Sequence, residues 1–334
     1  MTLAIDPRRV PFRAGALALA LLLAACGSDD RAGPTGTAGA GTPERPRATA
    51  PTGDASAEEV AEEKRGDVDC PADKPAAPAG APVQDVLGVR PGLSYEQAAQ
   101  IVMCADPLLV VTEEKFRGFD FPTYGQTVRQ AFTAQFAEAR VRKTSRQIMQ
   151  EMEQAAIARG GNAAREGMPA GQSRWFVSTM GMPGQEKVIA VAREERFEAD
   201  HNPTVDSVTQ ALLAKYGPVS RQLGNDSSRR LTWIYDPRGR LAGETSPIYD
   251  RCNGLGSPDG AVNLSPDCGV VIEAQVFGLR DNPALADRLD VGVVDQANGY
   301  AAITATEQGL AAMDAQRRAD QVKQASKNAQ APSL

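Results

Sequence analysis

Arg174-Trp175-Phe176-Val177-Ser178-Thr179-Met180 and Lys187-Val188-Ile189-Ala190-Val191-Ala192-Arg193, joined by a connection holding Gly181, Met182, Pro183 and Gly184, decide the fold. Both runs are short, apolar and bounded by turn residues, which predicts a pair of antiparallel strands. The second run turns charged at Glu194-Glu195-Arg196, which predicts a strand whose far end faces water.

Downstream, Thr204 caps a helix carrying Val205, Val208, Leu212 and Leu213, and Tyr216-Gly217-Pro218 ends it. Three further strands are expected at 230–235, 269–277 and 289–294. A closing helix near 298–326 has Tyr300, Ile303, Leu310 and Met313 in its first half and an almost wholly polar second half. The first half is expected to dock and the second to project.

Upstream, Ser94 and Gln97 form a capping box for a helix with Ala98, Ile101 and Val102, ending near Cys104, and Leu108 to Val111 reads as a short strand. Between 126 and 142 the residues Val128, Phe132 and Phe136 fit helix and strand periods alike, and both readings stay open. Thr144 and Gln147 open another helix, whose Ile148, Met149 and Met152 form either a core face or an adaptable binding face. Phe116, Phe119, Phe121 and Tyr124 crowd one loop with no basic stripe beside them, which favours packing over stacking on bases. The fold class is therefore α+β: an antiparallel sheet with a few short helices and a C-terminal helix.

Two passages repeat one plan of turn, Ser or Thr cap, amphipathic helix and strands: Gly92 to Pro107 and Pro203 to Pro218. They suggest related sub-units at 83–200 and 201–334. Gly92, Leu93, Ser94, Gln97 and Ala98, with Gly217-Pro218 closing the second passage, resemble the outer-membrane-assembly lipoproteins of the SmpA/OmlA type. Cys104 and Asp106 depart from that pattern. The duplicated plan is also similar to secreted inhibitors resembling the β-lactamase inhibitor proteins. Neither resemblance supplies catalytic residues.

The N-terminal region supplies an address. Arg8, Arg9 and Arg13 precede the uncharged run Ala14 to Leu23, which is too short to cross a bilayer core, and Leu23-Ala24-Ala25-Cys26 follows. This resembles the bacterial lipoprotein signal. The resemblance implies a signal peptide at 1–25, acylation of Cys26 and a lipid-bilayer anchor; Gly27 in second place favours the outer membrane, facing the periplasm. From Gly27 to Pro82 there is no Phe, Trp, Tyr, Leu or Ile. Residues 26–82 are thus expected to form a lipidated, disordered tether reaching on the order of 40 Å, with at most a transient helix near 55–65. The folded region is expected over 83–334.

Setting Cys26 aside leaves an even number of cysteines, which in an oxidising compartment reads as two disulfides. Cys252 and Cys268 flank a Gly- and Pro-rich loop and are paired, leaving Cys70 with Cys104. Paired short spacings for zinc are absent.

Little catalytic chemistry is legible. His201 is the lone histidine and no G-x-S-x-G elbow is present, so a serine triad has nothing to build on. Gly254-Leu255-Gly256 lacks the following helix of a dinucleotide fingerprint. Asp236, Asp250 and Glu273 are the carboxylates a hydrolase would need, and Asn253, Asp259, Asn263 and Asp267 the oxygens a calcium ion would need, without EF-hand spacing. The formal net charge of −6 argues against nucleic acid as a partner. No cofactor is called for. The expectation is a non-catalytic envelope lipoprotein that binds another envelope protein; the alternatives are an inhibitor of a periplasmic or cell-wall hydrolase and a carboxylate-dependent hydrolase.

Overall fold

A computed structural model describes residues 53–70, 75, 83–159, 168–225 and 227–329. The signal peptide, Cys26 and most of the tether lie outside the described residues, as does Gly160-Gly161, the pair expected to end the helix that Thr144 opens.

The fold is α+β, built on one eight-stranded antiparallel sheet in the order β1-β2-β3-β4-β8-β7-β6-β5. The strands are β1 (Leu109–Glu113), β2 (Ala131–Phe136), β3 (Ser173–Met180), β4 (Lys187–Arg196), β5 (Arg221–Asn225), β6 (Ser228–Ile234), β7 (Val270–Gly278) and β8 (Ala286–Asp295). The helices are α1 (Ala57–Arg65), α2 (Tyr95–Met103), α3 (Ser145–Arg159), α4 (Val205–Tyr216) and α5 (Gln296–Asn328). The quoted strand pair is β3 and β4, and β4 and β8 are the two central strands.

Each half of the sheet is a helix followed by a four-strand meander, α2 with β1 to β4 and α4 with β5 to β8, and the meanders meet at the β4–β8 seam. The backbone repeats in detail. Tyr95 N–H donates to the Glu186 carbonyl and Val188 N–H to that of Leu93; Val205 N–H donates to the Ala284 carbonyl and Ala286 N–H to that of Pro203. Both final hairpins carry a register shift, at Ser178/Thr179 and at Phe277/Gly278, so Ile189 on β4 and Asp287 on β8 are the extra residues. A bulge switches the following side chains to the other face. It lets both Val188 and Val191, an odd step apart, join the helix-side core.

That core packs Leu93, Ala98, Val102, Val205, Val208 and Leu212 of the helical segments onto Phe132, Trp175, Val191, Trp233, Ile272 and Val293 of the sheet. Ser94 and Gln97 form the expected capping box, and Thr204 caps α4. Gly217, at φ 81°, stops α4 in a conformation a side chain would strain.

Two expectations need correction, two open readings are decided, and one strand was not anticipated. Residues 57–65 are not an unfolded stretch of tether: α1 has its own capping box, packs against β1 and buries Val60 and Ala61. Its Arg65 donates to the Met103 and Asp106 carbonyls, and these contacts stabilise a helix too polar to hold alone. The charged end of β4 faces water only in part, through the partly exposed Glu195 and Arg196. Glu194 is buried because β4 is flanked on both sides and its neighbours are themselves charged. The methionines of α3 are not core, since Ile148, Met149 and Met152 are exposed. Finally, the 126–142 region resolves as strand β2, and β5, with almost no apolar signal, was not anticipated. The closing helix docks through Leu310 and Asp314, and everything from Ala315 to Asn328 is exposed.

Candidate functional site: a charged cleft on the second sheet face

Side chains alternate along a strand, so the residues that α2 and α4 leave uncovered share the opposite face. One cross-strand row there runs Arg174, Glu194, Asp290, Gln275 and Arg230 over β3, β4, β8, β7 and β6. The adjacent row runs Phe176, Ala192, Gly292, Glu273 and Thr232 over the same strands.

The second row is sealed by the β6–β7 connection. Leu255 is buried over it, and a Cβ on Gly292 would stand 1.9 Å from the Leu255 carbonyl oxygen, so only glycine lets the loop lie this close. Gly254 and Gly256 press on the Glu273 side chain in the same way. Cys252 and Cys268 are disulfide-bonded across this loop with Cα atoms 5.7 Å apart. Arg117 of the β1–β2 loop stacks 3.7 Å over the Phe176 ring and donates to the Pro258 and Gly260 carbonyls.

The first row is not sealed at its β3–β4–β8 end. It floors a cleft of about 700 Å³ walled by Gln135 of β2 and Glu138 after it, Met168 and Gln172 before β3, and Ser257 and Asp259 of the disulfide loop. Arg174 holds the floor together, donating from Nε to Glu194 at 2.9 Å and from both terminal nitrogens to Asp259. Asp290 is held less completely. Arg288 Nε lies 3.0 Å from its Oδ1, and both atoms are buried. Burial pushes the Asp290 carboxyl up to about 7; Glu194 adds to the rise, while Arg288 and Arg174 oppose it.

A second ion-pair group serves the fold. Arg129, ahead of β2, pairs with Glu96 on α2 and with the buried Glu186, and lies 4.3 Å over the Tyr95 ring. Burial works against the Glu186 charge, yet the hydrogen bonds from Arg129 and the backbone hold its carboxyl below the usual range.

The residues singled out from sequence are scattered by the structure. Cys70 is bonded to Cys104 with Cα atoms 5.6 Å apart, fastening the segment after α1 to the end of α2. His201 is an exposed loop residue beside Glu198. Asp236, Asp250 and Glu273 are not assembled into a site: they pair separately with Arg240, Arg221 and Arg230. Of the calcium candidates, Asp259 is taken by Arg174 and Asp267 by Arg251. Among the described residues no group of three or more His, Cys, Asp or Glu is placed to hold a metal ion, and no helix is long and apolar enough to cross a membrane. Of the aromatic loop, Phe116 stands in solvent at 95% exposure while Phe119 and Phe121 are half-buried.

Glu194, Asp290 and Arg288 were missed as a group because the β4–β8 pairing joins strands far apart in the chain. One signal was present: Asp290 sits between Leu289 and Val291 inside a predicted strand, where a carboxylate needs a reason. No protein family, curated protein or solved structure compared with this chain matches it.

Proposed function

We propose that this chain is a lipid-anchored envelope protein that acts by binding another envelope protein at the charged cleft, without catalysis. The observation that carries the reading is the unequal cover of one sheet face. The charged row is left open as a walled cleft beside a row that is sealed. The Leu23-Ala24-Ala25-Cys26 motif places the anchor, and the outer membrane facing the periplasm is the proposed location. Inhibition of a wall-directed hydrolase is a narrower form of the same reading, supported by the duplicated helix-and-meander plan.

The test uses the full chain in its own membrane. A photo-crosslinker at Ser257, on the cleft rim, is expected to trap one envelope species; the same probe at Gln222, on the exposed β5 edge, is expected to trap none. Charge reversal at Glu194 should abolish the adduct. Equal capture at both positions would end the proposal. For the anchor, Cys26→Ser should release the protein from the membrane fraction, and an unmodified Cys26 in the mass of the wild-type N-terminus would refute acylation.

A second reading has one observation in its favour. Glu194 and Asp290 are register partners, and one of them holds its proton near neutrality, as a carboxylate acid–base pair requires. Turnover of an envelope polymer by the purified protein, abolished by Asp290→Asn, would establish it. The resident arginines argue for binding instead, because Arg174 already engages Glu194 through two nitrogens.

A further inference from the structure

We propose that the Cys70–Cys104 bond is a reversible thiol–disulfide exchange site, opened by a dithiol, and that opening it frees α1 from the sheet and lengthens the chain between anchor and fold. The lengthening rests on the anchor proposed above; the exchange site does not. The two disulfides of the described residues differ in access. Cys252 and Cys268 are 0% and 1% exposed beneath the β6–β7 connection, whereas Cys70 is exposed and Cys104 half-buried at the end of α2. Exchange needs a thiolate to reach a sulfur, so a solvent-facing bond opens where a covered one does not.

Little else holds α1. Val60 and Ala61 are its only buried residues. A void of about 340 Å³ lies between the helix and the β1–β2 pair, bounded by Val60, Glu63, Val110 and Phe136, and a second of about 430 Å³ is bounded by Glu62, Arg65, Val68 and Leu108. Well-fitted interiors leave no such gaps. The polar ties lie at the surface. Ala55 and Arg140 exchange two backbone hydrogen bonds, Arg142 N–H donates to the Asp54 carboxylate, and Glu63 pairs with a half-exposed Arg140, an arrangement that stabilises weakly. Arg65 donates to the Met103 and Asp106 carbonyls on either side of Cys104, so it and the disulfide pin one corner. The bond closes a sequence separation of 34 residues, and in the chain-entropy description opening it lowers the ratio of docked to undocked α1 on the order of 500-fold.

The exchange balances with a dithiol as reductant. One of its thiolates attacks Cys70 Sγ, the bond to Cys104 breaks, and Cys104 leaves as a thiolate that takes up a proton. The second thiol then attacks the mixed disulfide and releases the Cys70 thiol. Two cysteine thiols form, and the dithiol ends as a disulfide. With the bond closed, 27 peptide steps separate Cys26 from Gly53, where the described residues begin; with α1 free, 57 separate Cys26 from Val83. The greatest distance the chain can span rises from about 95 Å to about 200 Å.

The test treats the full-length protein in detergent with dithiothreitol under native conditions, labels free thiols with iodoacetamide, and follows trypsin cleavage after Arg65 by mass. Labelling at Cys70 and Cys104 well before Cys252 and Cys268 is expected, together with a faster cut after Arg65, by up to roughly 500-fold. The fluorescence of the buried Trp175 and Trp233 should stay unchanged, which shows the sheet intact. Cys70→Ser with Cys104→Ser should be cut rapidly with or without dithiothreitol; if that variant fails to fold, wild type reduced and alkylated at the two positions replaces it. The proposal is overturned if the two disulfides open at the same rate, if Cys70–Cys104 resists, if the cut after Arg65 is no faster once it is open, or if the tryptophan signal collapses with it. An unmodified Cys26 would end the anchor reading and leave the exchange site standing. A resistant Cys70–Cys104 bond in protein acylated at Cys26 would do the reverse.

Discussion

The connection from β2 to β3 and the connection from β6 to β7 occupy the same place in the two halves of the sheet, yet they solve opposite problems. The first carries α3, whose Ile148, Met149 and Met152 stand in solvent. The second has no regular structure between Tyr235 and Gly269 apart from turns and a bridge, and it buries Ile248, Leu255 and its own disulfide against the sheet. Glycines decide the difference. Gly254, Gly256 and Gly292 let backbone lie on strand, where a longer helix would stand off by its own radius. One row of the sheet face is sealed as a result and its neighbour is left as a cleft.

The comparison breaks most completely at Gly292. Gly292→Ala puts a methyl group into the Leu255 carbonyl, so the loop must lift, and a loss of about 4 kcal/mol is expected from urea unfolding. Removing the staple is next. Cys252→Ser with Cys268→Ser should cost about 3 kcal/mol and expose the loop to protease while α3 cleavage is unchanged.

Asp290→Asn should act in the other direction, and its sign follows from the raised carboxyl. The folded state holds the proton more tightly than the unfolded chain, so stability falls as pH rises from about 4 to about 7 and the buried charge costs its full amount above that. The amide removes this cost. A gain of roughly 2 kcal/mol at pH 8, vanishing near pH 4, is expected in paired denaturation curves; a gain independent of pH would show that Asp290 does not titrate there. The smallest effect belongs to α3, where Met149→Ser with Met152→Ser should change stability by less than about 0.5 kcal/mol, since neither side chain leaves water on folding.

Much of the fold was legible because local chemistry wrote it. Capping boxes at Ser94 and Thr144 and the stop at Gly217 located helices, and dense apolar runs located β3, β4, β6, β7 and β8. The repeat of cap and helix anticipated the two meanders. What stayed hidden depends on tertiary partners. β5 carries Arg221, Gln222 and Asn225, and it is a strand only because β6 supplies its hydrogen bonds. α1 is polar apart from Val60 and its alanines, and β1 with the Cys70–Cys104 bond holds it in place. The cleft was least legible of all. Its floor joins side chains from β3, β4 and β8, and a charged end of β4 read in isolation points to solvent rather than to Arg174 and Asp290.

The seam between β4 and β8 also sets a timetable. While the chain is being made, α2 and the first meander can form as soon as β4 has emerged, but β4 then ends the sheet with its outer row of amides and carbonyls unmatched. Its partner is the last strand of all, so that row stays open through the synthesis of β5, β6 and β7. An open edge rich in valine and alanine is a template for pairing with a second chain. The charged stretch at Glu194 to Arg196 lies on that edge, where its charge deters a wrong neighbour until β8 arrives and Asp287 pairs with Arg196.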